Sequence, residues 1–438
     1  MAASRRRPGR AASTGRSGAA LALVLACVVA AGVPGGGPPA PAPVPDAWRS
    51  ATTIRVGLVV GAPRLLLAGS TDWRLSTVGG EQIASAKSGE RLRVVRMGPA
   101  SVEVYRDGDL APLWSGGPGD TLLLTPDGGG YAGWNSRWYR GAFRIHASQP
   151  EGLTLVNEVP LESYLRGVLP EEIGQPPDSD YEAVKAQAVA ARSYTLSYLG
   201  RRAPLGFDLW ASVEDQVYGG TARENAQSDR ALRSTDGEVL VSDGAPIRAL
   251  YSSACGGRTS NVEDVWPWPW TPYLRSVRDA EGPGEPSYCT RSSNYRWREE
   301  WDADAFMAML RKFGPPEGVP AATLAGDLRD VRVAARSRSG RVQEVVVATT
   351  RGEWTLRGDR TRWSFRRPGG EAILRSSFLK IGVLRDPTGR PLAVVATGGG
   401  NGHGIGLCQF GAMGMARAGK SYKEILSHYY KDTSLTHM

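Results

Sequence analysis

The sequence predicts an α+β protein, a β-rich N-terminal region followed by a larger domain that mixes helices with antiparallel strands. Three observations predict it. Short runs alternate apolar and polar residues between positions 52 and 155. Two helix-patterned segments follow, over 161–172 and 181–199. From Glu238 the pattern returns to strands. The 55 glycines and 30 prolines among 438 residues supply the turns that so many short elements need. No repeat of fixed period runs along the chain, so a solenoid or propeller is not expected.

Residues 1–33 read as an export signal. Arg5, Arg6, Arg7, Arg10 and Arg16 form a basic start, and a short run of small apolar residues (AALALVLACVVAAGV) follows at 19–33. Cys27 stands after Val24-Leu25-Ala26, an imperfect lipobox, so lipidation at Cys27 and an uncleaved membrane anchor are the other two readings. All three put the protein outside the cytoplasmic membrane. Residues 34–50 form a Pro-rich linker, 51–150 the β-rich region and 151–435 the mixed domain. The formal charge of +9 owes five units to the leader arginines, which have no acidic neighbours. A basic face for nucleic acid is therefore not expected.

In the β-rich region the runs IRVGLVV, RLRVVRM, SVEVY, TLLLT, FRIHA and LTLVN are separated by turn residues. The second helical segment has a start signal, because Ser179-Asp180-Tyr181-Glu182 fits a capping box. Its alanines would let a neighbouring element approach closely. Later, EVLVSDG and PIRALYSSA read as strands, and VRVAARSRSGRVQEVVVATT reads as a hairpin turning at 337–340. Helices are expected over 304–313 and 422–430.

Glu172 is the first candidate for chemistry. Leu161, Leu165, Val168 and Glu172 fall on one helical stripe, at steps of four, three and four. A carboxyl on an apolar stripe is pushed toward its neutral form, which is what a general acid near neutral pH requires. Glu171 points away from that stripe, and Pro170 is expected to break or kink the helix just before both. The plain alternative is two glutamates solvating a helix end. A second candidate is the glycine-rich stretch GGGNGHGIGLCQFGAMGMARAG at 398–419. It presents His403 and Gln409 on a tight loop, with His403 either contacting a ligand or buttressing the loop. Trp266, Trp268 and Trp270 alternate with prolines, a pattern suited to stacking on sugars or to packing a cramped turn.

Gly414 to Ser421 (GMARAGKS) matches the phosphate-loop pattern. No aliphatic strand leads into it, so nucleotide binding is not expected. No HExxH or histidine cluster occurs among His146, His403, His428 and His437. In an oxidising setting Cys255 and Cys289 are candidates for a disulfide, with Cys408 the odd thiol. A metal site from Cys255, Cys289, Cys408 and His403 is the rival, though no CxxC spacing supports it.

Several of these segments, in order, resemble the SpoIID/LytB family: VPLESYLRGVLPEEIG, YEAVKAQAVAARSYTL, YSSACGGRTSNVEDVW and GNGHGIGLCQFGAMGMA. SRSGRVQEVVV, LRGDRTRW, LRSSF and YKEILSHYY resemble its later blocks. The resemblance covers residues 52–435 and implies action on peptidoglycan glycan strands. Members are either lytic transglycosylases with one catalytic glutamate or enhancers of wall amidases. The family's glutamate falls on Glu172, with Pro170, Glu171 and Ile173-Gly174 as departures that leave Glu171 one register away. By the same resemblance Lys185, Gln187 and Arg192 would shape or support the site, and Tyr251, His403 and Gln409 would line it. No residues between 199 and 220 match the family's zinc ligands, so neither a metal nor another cofactor is carried over.

Overall fold

The computed structural model describes residues 53–99, 101–148 and 152–438. The leader, Cys27 and the linker lie outside the described residues. Two antiparallel-rich sheets form the first half. One has seven strands, in the order Leu209–Trp210, Thr53–Ala62, Leu153–Pro160, Ala142–Ala147, Leu122–Pro126, Trp73–Thr77 and Gln82–Ala86. The other has six, in the order Arg137–Tyr139, Ala132–Trp134, Arg64–Gly69, Arg91–Met97, Ser101–Arg106 and Trp114–Gly116. Alternate side chains go inward, as the period of two demands: Leu65 and Leu67, Leu92 and Val94, Val102 and Val104, Leu122 and Leu124 are all buried in one core. Strand Leu153–Pro160 departs from this alternation and is buried over its first five residues. It lies inside the seven-stranded sheet, between Thr53–Ala62 and Ala142–Ala147. The β-rich region and the mixed domain thus share a sheet.

Three helices follow: α1 (Leu161–Glu172), α2 (Tyr181–Ser197) and α3 (Ala226–Ser234). Helix α2 is buried on nearly all sides, with Ala183, Ala186, Ala188, Ala190 and Ala191 inaccessible to solvent. Alanine removes bulk all round, so α1, α3, the strand Glu238–Ser242 and the helices Gln409–Arg417 and Tyr422–Tyr429 all pack on it. A second core lies in the later residues. There Phe306 and Leu310 of the helix Ala303–Phe313 meet Val331, Val345, Val347, Leu356 and Val394 from two three-stranded sheets.

Helix α1 runs through Pro170 to Glu172, contrary to the expected break. Only two helical residues follow the proline, and the Ile173 N–H still closes the last turn on Leu169 O at 3.1 Å. The capping box expected at Ser179–Glu182 is not formed. Ser179 Oγ donates to Asp180 at 2.9 Å, Asp180 is buried against Arg417, and Glu182 accepts the Tyr422 N–H at 2.7 Å. Tertiary partners take the groups that would have capped. A complete capping box occurs instead at Ser421 and Glu424. The hairpin turn at 337–340 closes as expected, with Gly340 at φ +87°. The PIRALYSSA run yields only the two-residue strands Ala245–Pro246 and Tyr251–Ser252. Gly414 lies inside a helix against the Tyr288 backbone, where a Cβ would meet Tyr288 O at 2.2 Å, so it belongs to no phosphate loop. No described helix is long and apolar enough to cross a membrane.

Replacing Leu165, fully buried on α1, by alanine should cost about 2–5 kcal/mol of unfolding free energy in denaturant titrations. A cost under about 1 kcal/mol would mean that α1 is packed loosely.

Candidate functional site

The site is organised by the C-terminal turn of α1. Leu161, Leu165, Val168 and Leu169 are buried along the helix, and the partly exposed Glu172 continues their face at its last position. The loop 216–220 crosses α1 at Gly167. A Cβ there would meet the Tyr218 ring at 2.5 Å and Gly220 O at 2.6 Å, so glycine is what permits the crossing. The crossing delivers the Val217 N–H to Glu172 Oε1 at 2.8 Å.

The Tyr251 hydroxyl is the second donor to the Glu172 carboxyl. Tyr251 is itself held by Gln216, whose Nε2 donates to the tyrosine oxygen at 3.0 Å. The other side of that amide, Oε1, lies 2.7 Å from Thr195 Oγ1 and accepts from the Tyr164 hydroxyl at 3.3 Å. Hydroxyls on Oε1 orient Nε2 toward Tyr251. Burial raises the Tyr251 hydroxyl well above its ordinary value, so it stays protonated and donates.

Burial pushes the Glu172 carboxyl up to about 7, against the lowering effects of the Val217 and Tyr251 hydrogen bonds; the nearby Glu171 charge adds to the rise. The neighbouring carboxylates are committed elsewhere. Glu171 pairs with Arg223 at 3.3 Å. Asp215 is buried between Arg202 at 2.8 Å and the Trp210 N–H at 2.8 Å. Glu172 is therefore the carboxyl placed to give and take a proton near neutrality.

Gln409 and Gln187 meet at 3.4 Å, and Gln409 Nε2 donates to the Glu172 main-chain carbonyl at 3.0 Å, pinning the helix end rather than the carboxyl. The contacts of Lys185 and Arg192 lie away from the Glu172 carboxyl. These residues lie two before and five after Gln187, steps that rotate both to the face of α2 opposite it. Lys185 pairs with Glu182 and sits over the Tyr422 ring at 4.8 Å. Arg192 is buried and grips Glu162 at 2.7 and 2.9 Å.

His403 settles as a buttress. Its Nδ1 accepts the Ile405 N–H at 3.1 Å, leaving Nε2 to donate to the Tyr251 carbonyl at 2.8 Å. Burial pulls its pKa down to about 4, so the ring is neutral, and it packs on Trp266 with centroids 5.0 Å apart. Trp266 and Trp268 are half-buried against each other, whereas Trp270 is 65% exposed. Arg248 bridges the Trp268 ring and Tyr198, and Tyr198 stacks on Tyr194, which neighbours Tyr251. A chain of ring contacts, buried at Tyr194 and Tyr198, thus runs from the acid to Trp268.

The three described cysteines are unbonded thiols, with Cys255 and Cys289 Sγ atoms 3.8 Å apart. Cys408 and Asp279 join them, and His403 does not, which corrects the composition of the expected metal alternative. Sequence reading missed Gln216, Val217 and Tyr218. Their loop has no periodic pattern, so nothing short of the fold brings them to α1.

The profile of a family described as Stage II sporulation protein matches residues 149–241, the stretch holding α1, α2 and the crossing loop. A second profile, described as a domain of unknown function, matches residues 287–406, which contain the second core. An uncharacterised protein of Brachyspira hyodysenteriae is 30% identical over 284 residues, 65% of this chain and 68% of that protein. The amidase enhancer of Bacillus subtilis is 30% identical over 301 residues, 62% of this chain but only 40% of the enhancer. Stage II sporulation protein D of the same organism is 25% identical over 305 residues, 64% of this chain and 76% of that protein.

Folding holds the Glu172 proton more tightly than the unfolded chain does. Its burial is therefore tolerated below about pH 4.5 and becomes destabilising as pH rises through about 7. Glu172→Gln should match wild type at pH 4.5 and be about 1–3 kcal/mol more stable at pH 8 in denaturant titrations. A stability difference that does not change with pH would contradict the enclosed carboxyl.

Proposed function

The chain belongs to the SpoIID/LytB family, and from that premise we propose that it acts on the glycan strands of peptidoglycan as a lytic transglycosylase with Glu172 as its single acid and base. The observation that carries the reading is the Glu172 carboxyl, raised to about 7 by burial and supplied with two fixed donors. The exported location rests on the basic and then apolar pattern of residues 1–33.

Most glycosidases need two carboxylates, because one must attack or activate water. Here the nucleophile is the substrate's own C6 hydroxyl on muramic acid. Protonated Glu172 gives its proton to the glycosidic oxygen as the C1–O bond breaks. The carboxylate then takes the C6 hydroxyl proton as the bond from O6 to C1 closes the 1,6-anhydro ring, which returns the acid to its starting form. Val217 N–H and Tyr251 OH steady the carboxylate between the two transfers. Intramolecular attack needs positioning rather than a second acidic group. The partly exposed Trp266 and Trp268 and the exposed Trp270 offer faces on which sugars stack.

A second reading, a non-catalytic glycan-binding enhancer of an N-acetylmuramoyl-L-alanine amidase, is favoured by the amidase enhancer's 30% identity, against 25% for stage II sporulation protein D. That alignment leaves most of the enhancer unmatched.

Purified protein incubated with peptide-free glycan strands should release 1,6-anhydromuramic ends, detected by mass spectrometry. Glu172→Gln should lower that rate about 10²–10⁴-fold. If wild type yields no anhydro ends but binds glycan and stimulates an amidase, the enhancer reading takes its place. The acid form must be present at the start, so kcat/KM should fall as pH rises above about 7, whereas a rate that climbs steadily to pH 9 would exclude Glu172 as the acid.

A further inference from the structure

Beneath the glycine-rich loop three separate segments bring sulfur together. Cys255 follows the short strand Tyr251–Ser252, and Cys408 ends the strand Leu407–Cys408 that runs parallel to it. Cys289 lies in the 3-10 turn Tyr288–Arg291, ten residues after Asp279. One donor atom from each of Cys255, Asp279, Cys289 and Cys408 lies within 4.8 Å of all the others, and all four residues are fully buried. We infer that these four side chains form a closed, structural site for a soft divalent cation, zinc in the first instance, bound by three thiolates and one carboxylate.

The geometry suits that ion. Zinc binds thiolate at about 2.3 Å in a tetrahedron, and two such sulfurs stand about 3.8 Å apart. The Cys255 and Cys289 sulfurs are separated by 3.8 Å.

The surroundings suit sulfur as an anion. Cys408 Sγ accepts the Cys255 N–H at 3.2 Å and the Gly411 N–H at 3.3 Å, the latter as the cap of the helix Gln409–Arg417. Cys255 Sγ accepts the Gly257 N–H at 3.4 Å, and the Ser287 hydroxyl lies 3.2 Å from Cys289 Sγ. Asp279 is held by an outer set of donors: Ser287 Oγ at 2.6 Å, the Cys289 N–H at 3.0 Å and the Tyr429 hydroxyl. Such partners orient metal ligands.

A second, independent observation is Arg341. It is fully buried, and among the described residues its guanidinium makes one hydrogen bond, from Nη2 to the Cys255 carbonyl at 2.9 Å, leaving Nε and Nη1 without partners. A guanidinium in the interior needs negative charge nearby. Asp359 acts on it but is paired with Arg362, and neutral thiols supply none. An ion held by three thiolates and a carboxylate carries net negative charge, which would compensate the buried Arg341 guanidinium beside it.

No electron transfer is involved. Each thiol releases its proton to water as the sulfur binds, so affinity falls at low pH. With four protein ligands and no solvent access, the ion would be structural. It would clamp the strand of Tyr251 to the start of the helix that carries Gln409, two parts of the Glu172 site.

The test uses the whole chain, purified without chelator and assayed for metal by mass spectrometry. The expected result is about one zinc per chain, with the three thiols reactive only after denaturation in chelator. Cobalt substitution should give the thiolate charge-transfer bands and intense visible bands of a tetrahedral ion. Cys289→Ser should lose the metal. Asp279→Asn, a milder change should the first fail to fold, should weaken zinc affinity at least about 10–100-fold, the loss typical of removing even an outer partner, while circular dichroism stays native. Metal content is read without reference to glycan cleavage, so this result and the catalytic one stand apart. A folded wild-type chain that holds less than about one-tenth of a zinc after supplementation would overturn the site. So would an intact mass two hydrogens lower, with Cys255 and Cys289 joined.

Discussion

The crossing of α1 by the loop 216–220 at Gly167 is the constraint on which the site depends. Without a side chain at that position, Tyr218 and Gly220 O can approach the helix, and the Val217 N–H reaches Glu172. The crossing also seats Gln216 against Thr195 and Tyr164, which aims its amide at Tyr251. Helix α2 provides the floor: its alanines let several elements pack close, so that Gln187 on α2 meets Gln409 from the far end of the chain. One backbone approach and one small-residue helix thus bring together groups more than two hundred residues apart in sequence.

Electrostatics follows from that packing. Two hydrogen bonds favour the ionised carboxyl and burial disfavours it, and burial wins by enough to hold Glu172 near 7. The arrangement suits a group that must both give and take a proton, since neither form is favoured by a wide margin at neutral pH. His403 supports it without titrating, because both ring nitrogens are engaged and its pKa sits near 4. The proposed cation beneath the loop would make the strand behind Tyr251 rigid in the same way, by joining three segments at one point.

Much of this was legible in the sequence, and what was not has a physical reason. The stripe of Leu161, Leu165, Val168 and Glu172 is a local periodicity, and periodicity survives folding. The hairpin at 337–340 and the helix Tyr422–Tyr429 were readable for the same reason. The capping box at Ser179 failed because Asp180 and Glu182 found partners in Arg417 and Tyr422, residues no local rule can reach. Lys185 and Arg192 share a block with Gln187, although the helix turns both of them to the face opposite Gln187. Gln216 and Val217 gave no signal, since an irregular loop acquires meaning only when the fold lays it across a glycine. The cysteines stood out by type, but Asp279 joined them only in three dimensions.

The account turns on whether the Glu172 carboxyl holds its proton at neutral pH. Carbon-13 NMR of protein labelled at the glutamate side-chain carboxyl, compared with Glu172→Gln to identify the resonance, measures this directly across a pH titration. The account predicts a midpoint near 7. A midpoint at the ordinary 4.5 would mean that water reaches the carboxyl freely, and that Glu172 is not the proton donor described here.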